Sequence, residues 1–223
     1  MTIRRVWPGV LGCALLLLPA AARADAIAKH TFALGAERIT GVFHADEKWN
    51  TGNASGSNGV TTLALFGMNG GGDLVDAWQL PRIAMDYFVA NGFSIGGSFV
   101  VLSRSPENSN RTDFIIAPRV GFGYMFSRVV GIWPRIGMSY WHGSWSNDPG
   151  NANADAHSFA FDLDVPLLIA PVRSFAITLG PLLDVGFAGR VSGNVNVLGL
   201  NVNGGVDTSF VQFGLSAGIV GLL

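Results

Sequence analysis

The segment Asp113–Phe126 alternates from end to end: Phe114, Ile116, Pro118, Val120, Phe122, Tyr124 and Phe126 share one face, and Asp113, Ala117, Arg119, Gly121 and Gly123 the other. Period two is the geometry of a β-strand, whose successive side chains point to opposite sides of the sheet. One side of this strand is bulky and apolar. The other is polar or tiny.

Segments of the same kind recur at 31–45, 78–90, 93–104, 131–145, 157–169, 174–190 and 207–222, which makes eight, and no convincing helix interrupts them. The connections alternate in length. Those at 90–92, 127–130 and 170–173 are tight, whereas 46–77, 105–112, 146–156 and 191–206 are long and polar. A soluble sandwich has no reason to keep that alternation. An up-and-down barrel in an outer membrane does, with tight periplasmic turns and longer extracellular loops. The expected fold is therefore all-β, an eight-stranded antiparallel up-and-down transmembrane barrel. Thr61–Met68 and Val195–Val202 read as parts of long loops or strand extensions above the bilayer.

Composition agrees with a membrane solvent. Only 13% of residues are charged, about half the share usual in soluble domains, and after residue 24 no apolar run approaches the roughly 20 residues of a spanning helix. Residues 1–24 have the form of a cleaved signal peptide: Arg4 and Arg5, the apolar run Val10–Leu18, then Ala22-Arg23-Ala24. The barrel domain is then 25–223. Its removal takes Cys13, the single cysteine, so disulfides and thiolate metal sites are excluded. It also takes three arginines and no acid, leaving a net charge of about −4, which argues against a nucleic-acid partner.

Three Pro-Arg doublets, Pro81-Arg82, Pro118-Arg119 and Pro134-Arg135, fall inside apolar strands. In each, proline and arginine face opposite sides, and the prolines share a side with Ile83, Met85, Ile136 and Met138. An arginine held against lipid near the midplane costs about 2–4 kcal/mol, so the arginines are expected to point inward. By the parity of each strand the interior collects Arg82, Asp86, Asp113, Arg119, Arg135, Asp162, Asp164 and Asp184. An eight-stranded interior is only wide enough for side chains to fill it, so these charges are expected to form a paired plug, with Gly96, Gly121, Gly123, Gly137, Gly180 and Gly186 leaving room for them. Glu37 and Arg38 are adjacent and both point inward only if the first strand carries a bulge; its phase stays open.

The stretches GAERITGVF, LPRIAMDYFVANGFSIGGSF, APRVGFGYMF and IWPRIGMSYWHG resemble the small outer-membrane β-barrel proteins of Gram-negative bacteria, of the OmpA and OmpX membrane-domain type. The resemblance runs from about residue 30 to the end. It implies an outer-membrane location, contact with outer-membrane lipids and with the barrel-insertion machinery during biogenesis, and an extracellular ligand reached through long loops.

No enzymatic site is expected, and no cofactor or metal. His142-Gly143-Ser144 resembles the arrangement in lipid A deacylases, but a nucleophile needs both a base and an orienting acid, and only Asp148 and Asp155 are on hand in the loops. His30, His44 and His157 stand apart from one another in sequence. Trp133, Trp141, Trp145, Phe126 and Tyr140 are expected in interfacial girdles. The role that follows is structural or surface-interactive. A narrow channel for small solutes or apolar compounds is the alternative, ahead of a lipid A-modifying enzyme, and a soluble periplasmic sandwich is the structural rival.

Overall fold

Each alternating run becomes one stave of a closed wall. The structure, a computed structural model, describes residues 27–52, 54–66, 74–105, 109–147, 152–197 and 200–223; the segment read as a signal peptide lies outside them. The strands are β1 (Phe32–Asn50), β2 (Ser55–Leu65), β3 (Arg82–Phe88), β4 (Phe93–Arg104), β5 (Ser109–Phe122), β6 (Tyr124–Met125), β7 (Val130–Ile132), β8 (Arg135–Asn147), β9 (Ala152–Asp164), β10 (Leu167–Val172), β11 (Phe175–Val197) and β12 (Leu200–Leu222). β2 and β3 pair with successive parts of β1. β6 continues β5, β8 continues β7, and β10 continues β9, so twelve strands make eight antiparallel staves. β12 pairs with both β11 and β1, which closes the barrel and leaves the sheet without a terminal edge.

Prolines account for two of the breaks. Pro134 separates β7 from β8, and Pro166 separates β9 from β10; neither has an N–H to give the ladder. Their carbonyls still accept: Phe122 N donates to Pro134 O, Trp133 N to Pro166 O, and Val165 N to Pro181 O, each at 2.9 Å. Three neighbouring staves thus each carry a proline, and the connection between them is kept.

The outer face is a belt of exposed apolar side chains. On β12 alone Val211, Phe213, Leu215 and Ile219 are 42–58% exposed, and Ile83, Met85, Ile136, Met138, Ile177 and Leu179 continue the belt on β3, β8 and β11. A water-facing wall of this kind would be an aggregation surface; facing hydrocarbon it is the expected exterior of a membrane barrel.

β1 resolves the phase of the first strand. Ala36 pairs with Ile219 and Thr40 with Ala217, so residues 37–39 stand opposite Gly218 alone. Arg38 takes a φ of 53° in this bulge, and Glu37 and Arg38 both turn into the lumen. Gly218 is what lets the bulge lie flat: a Cβ there would sit 2.5 Å from the Ala36 carbonyl oxygen and 3.1 Å from Glu37 Cα. Gly218→Val is expected to cost about 1–3 kcal/mol by overpacking, read as a lower urea midpoint for the compact form on a detergent gel.

Four expectations need correction. The segment 78–90 is not one strand: Leu74–Gln79 forms a 3₁₀ turn and the strand begins only at Arg82. Trp133 and Trp141 are buried in the lumen rather than set in a girdle, and Trp145 packs inward against the cluster that holds Trp141. They share parity with Arg135, so the face that admits the arginine admits them too. The inward face is also not uniformly small or polar, since Ile115 on β5 is fully buried there. Phe126 and Tyr140 do face outward. The intervals expected as long loops are largely strand: β1 with β2, and β11 with β12, continue as hairpins past the belt.

Candidate functional site

The lumen is filled in three storeys. At the short-turn end Ala33, Phe88, Trp133, Leu168, Ala176 and Val220 form an apolar floor. At the other end Trp78, Ile115, Trp141, Val191, Val206 and Phe210 form an apolar roof. Between them lies a layer of charge.

In that layer Arg119 donates to Asp86 from Nε at 3.1 Å and Nη2 at 2.5 Å, and from Nη1 to Glu37 at 2.5 Å. Arg135 donates to the other oxygen of Glu37 and to Asp164 at 3.4 Å. Arg38 grips Asp184 with two bonds of 2.7 and 2.8 Å and lies 3.8 Å from Asp164. Gln212 donates to Asp184 at 2.9 Å and accepts from Gln79 at 3.2 Å. Asp162, directly across the ladder from Asp184, accepts from Ser139 at 2.9 Å. Arg82 is held differently: it donates to the Trp78 carbonyl at 3.3 Å and lies over the Trp78 ring.

Seven of the eight residues assigned to the interior from parity therefore lie in one storey. Asp113 lies higher, bound by Arg111 at 2.7 and 3.2 Å and by Trp141 Nε1 at 3.1 Å. Glu37, Arg38, Gln79 and Gln212 complete the network. The Glu37-Arg38 adjacency signalled a bulge, and Gln212 has the parity opposite to Val211 and Phe213; nothing in the sequence marked Gln79. Side-chain bulk is matched by missing bulk: a Cβ at Gly137 would lie 2.8 Å from Arg119 Cβ, and one at Gly121 would lie 2.9 Å from Arg135 Cγ.

Buried ions hold only when paired and hydrogen-bonded, and this layer has four guanidinium groups interleaved with five carboxylates. The spaces left beside it are small. Cavities lined by Arg82, Arg119 and Asp162, and by Arg38, Thr178 and Ser216, measure about 10 Å³ each, close to the least that one water needs.

The Leu74–Gln79 turn joins the roof to the charge layer. Arg38 Nη1 donates to the Trp78 carbonyl at 2.5 Å, and the Trp78 ring lies 5.0 Å from that of Phe210. Trp78 is 1% exposed. Trp78→Ala is expected to remove about 3–5 kcal/mol of packing, chiefly by freeing this turn while the staves persist. Hydrogen exchange would show faster exchange at residues 77–80 and unchanged protection on β9 and β11.

On the outer wall the β8–β9 register sets His142 opposite His157 and Ser144 opposite Asp155, beside a cavity of about 360 Å³ lined by Thr112, Ser144, Asn153 and Asp155. A hydrolytic triad needs the base bonded to both nucleophile and acid. Among the described residues of this patch, Ser192 Oγ donates to the Asp155 carbonyl at 3.4 Å. His44 bonds Thr61 at 2.8 Å and His30 bonds Tyr87 at 2.7 Å. Among the described residues no three His, Cys, Asp or Glu side chains converge on a metal-sized site.

No protein-family model matches the chain, and no curated protein matches it by sequence. Among solved structures it is similar to Neisserial surface protein A, at 13% identity over 85% of this chain and 96% of that one, with a TM-score of 0.46. It is also similar to the outer membrane protein OprG of Pseudomonas aeruginosa, at 8% identity over 88% and 98% with a TM-score of 0.45. A third is Ail, the attachment invasion locus protein of Yersinia pestis, at 13% identity over 86% and 99% with a TM-score of 0.39.

Proposed function

We propose that this chain is an outer-membrane barrel of a Gram-negative cell, exported by cleavage of residues 1–24, whose role is structural or surface-interactive rather than conductive or enzymatic. The observation that carries the reading is the filled lumen. An apolar floor, a paired charge layer and an aromatic roof occupy it in series, and the cavities within the charge layer are of single-water size. A solute path would have to displace the Leu74–Gln79 turn and then part a shared network in which Glu37 bridges Arg119 and Arg135, and Arg38 holds Asp184. What the barrel offers outward is its belt, which takes lipid, and the β1–β2 and β11–β12 hairpins that rise beyond it, which take partners from outside the cell.

Two measurements test this. The chain isolated from outer membranes is expected to migrate as a compact species until boiled, because a closed barrel resists detergent unfolding. In planar bilayers the folded protein is expected to be electrically silent, and Arg119→Ala to leave it so while lowering its stability. Discrete conductance steps from the unaltered protein would favour the narrow-channel reading instead.

A further inference from the structure

On the β2–β1–β12 side the outward face passes from lipid-facing to polar over a few rungs of the ladder. Val42 stands between Leu63 and Leu215, and His44 between Thr61 and Phe213; two rungs higher Lys48 stands between Ser57 and Ser209, and then Asn50 between Ser55 and Asp207. Over these upper rungs lies a groove of about 590 Å³, within the size range of small-ligand sites. Lys48, Asn50, Ser55, Ser57 and Ser209 present polar groups to it, and Phe187 lines it on the β11 side.

Phe187 is there because β11 is bulged. Gly186 pairs with Phe210 and Gly189 with Thr208, so residues 187 and 188 together face Ser209. The extra residue reverses the parity of β11: below it the even positions point inward, above it Val191 does. Bulges re-aim side chains, and this one leaves a phenylalanine 56% exposed at the side of a polar groove. An aromatic ring set beside hydroxyl and amide groups matches a pyranose, which has an apolar face and a hydroxyl edge.

Charge adds a second requirement. Asp207, which lines the groove, lies 3.8 Å from Arg190, and Asp46 lies 3.6 Å from His44, so each acid has a nitrogen neighbour of its own. Among the described residues that line the groove Lys48 is the cation, a compact point charge suited to phosphate or carboxylate. Along β12 the outward positions after Ser209 are Val211 and Phe213 of the exposed belt, so a headgroup seated in the groove would keep its acyl chains in hydrocarbon.

We propose that this groove binds the sugar headgroup of an acidic glycolipid of the surrounding leaflet, with Phe187 against the sugar ring, Lys48 on the anionic substituent, and the serine hydroxyls and Asn50 on the ring hydroxyls. The proposal rests on the membrane location argued above.

The test uses the full barrel in nanodiscs of phosphatidylcholine, with or without rough lipopolysaccharide, and native mass spectrometry to count retained lipid. The unaltered protein is expected to retain lipopolysaccharide in preference to phosphatidylcholine. Lys48→Glu and Phe187→Ala are each expected to lower that retention about tenfold, Lys48→Arg to preserve it, and all three to keep the compact gel form, since both side chains are outside the core. Equal retention by the unaltered protein and the two variants overturns the proposal. So does capture of the free, deacylated sugar in place of the lipid. A barrel that inserts and migrates compactly yet shows no preference for lipopolysaccharide sinks this inference alone, whereas a chain that never enters the bilayer sinks both it and the membrane reading.

Discussion

Arg38→Ala is expected to lower the unfolding free energy by about 3–5 kcal/mol, the usual cost of stranding one partner of a buried ion pair. Asp184 has no exposure to solvent, and its two bonds to Arg38 are supplemented by one from Gln212. The loss also reaches the roof, because Arg38 holds the Trp78 carbonyl. Asp184→Ala is expected to cost a similar amount, since it leaves a guanidinium in the same enclosed layer with Asp164 at 3.8 Å as its nearest remaining acid. The paired change Arg38→Met with Asp184→Leu should recover much of the loss, because replacing both ions with apolar groups of similar volume is often neutral. Urea titration of the compact gel form checks all three. Single-variant losses under about 1 kcal/mol would mean that water reaches the layer and screens it.

The wall was legible in the sequence because parity is local. Whether residue 119 faces in or out follows from its neighbours on the same strand, and the cost of arginine against lipid settles which face is which. The same reasoning covers Asp162, Asp164 and Asp184. Parity fails where the chain steps out of a plain ladder. The bulge at Glu37-Arg38 could be anticipated from two adjacent charges, but its placement depends on Gly218, far away in sequence and next to it in space. The Leu74–Gln79 turn was harder, because Trp78 and Leu80 alternate with Gln79 as a strand would, and only the packing of Trp78 on Phe210 and Arg38 makes inward travel favourable. The tryptophans are a different kind of miss. Trp133 and Trp141 have the parity of Arg135, and that parity outweighs the general habit of tryptophan to sit at membrane interfaces. Here both indole N–H groups find luminal acceptors, Ser94 and Asp113, which is what allows so large a polar-tipped ring to be buried.

Ile136→Arg should be among the most damaging single changes on the outer wall, at about 2–4 kcal/mol for a cation at mid-depth of the bilayer. Ile136 is 45% exposed on the apolar face, one residue from Arg135, which is 6% exposed on the luminal face. The two positions share a strand and a depth and differ only in direction. Its ladder neighbours Val120 and Leu163 are apolar as well, so the new guanidinium would meet hydrocarbon with no carboxylate to turn to. His142→Arg, on the same face three rungs higher, is expected to cost about 0–1 kcal/mol, because the penalty fades toward the interface. The comparison separates membrane burial from simple loss of packing: a small exposed isoleucine gives up little protein contact, so in detergent-free water both changes would be near neutral. A large difference between the two positions when the barrel is refolded into liposomes, and a small one in a soluble polymer belt thin enough to admit water, would locate the hydrocarbon at the level of the charge layer. Equal effects at both depths would place the apolar belt against something other than lipid, and the inward arginines would then lose the physical reason for their direction.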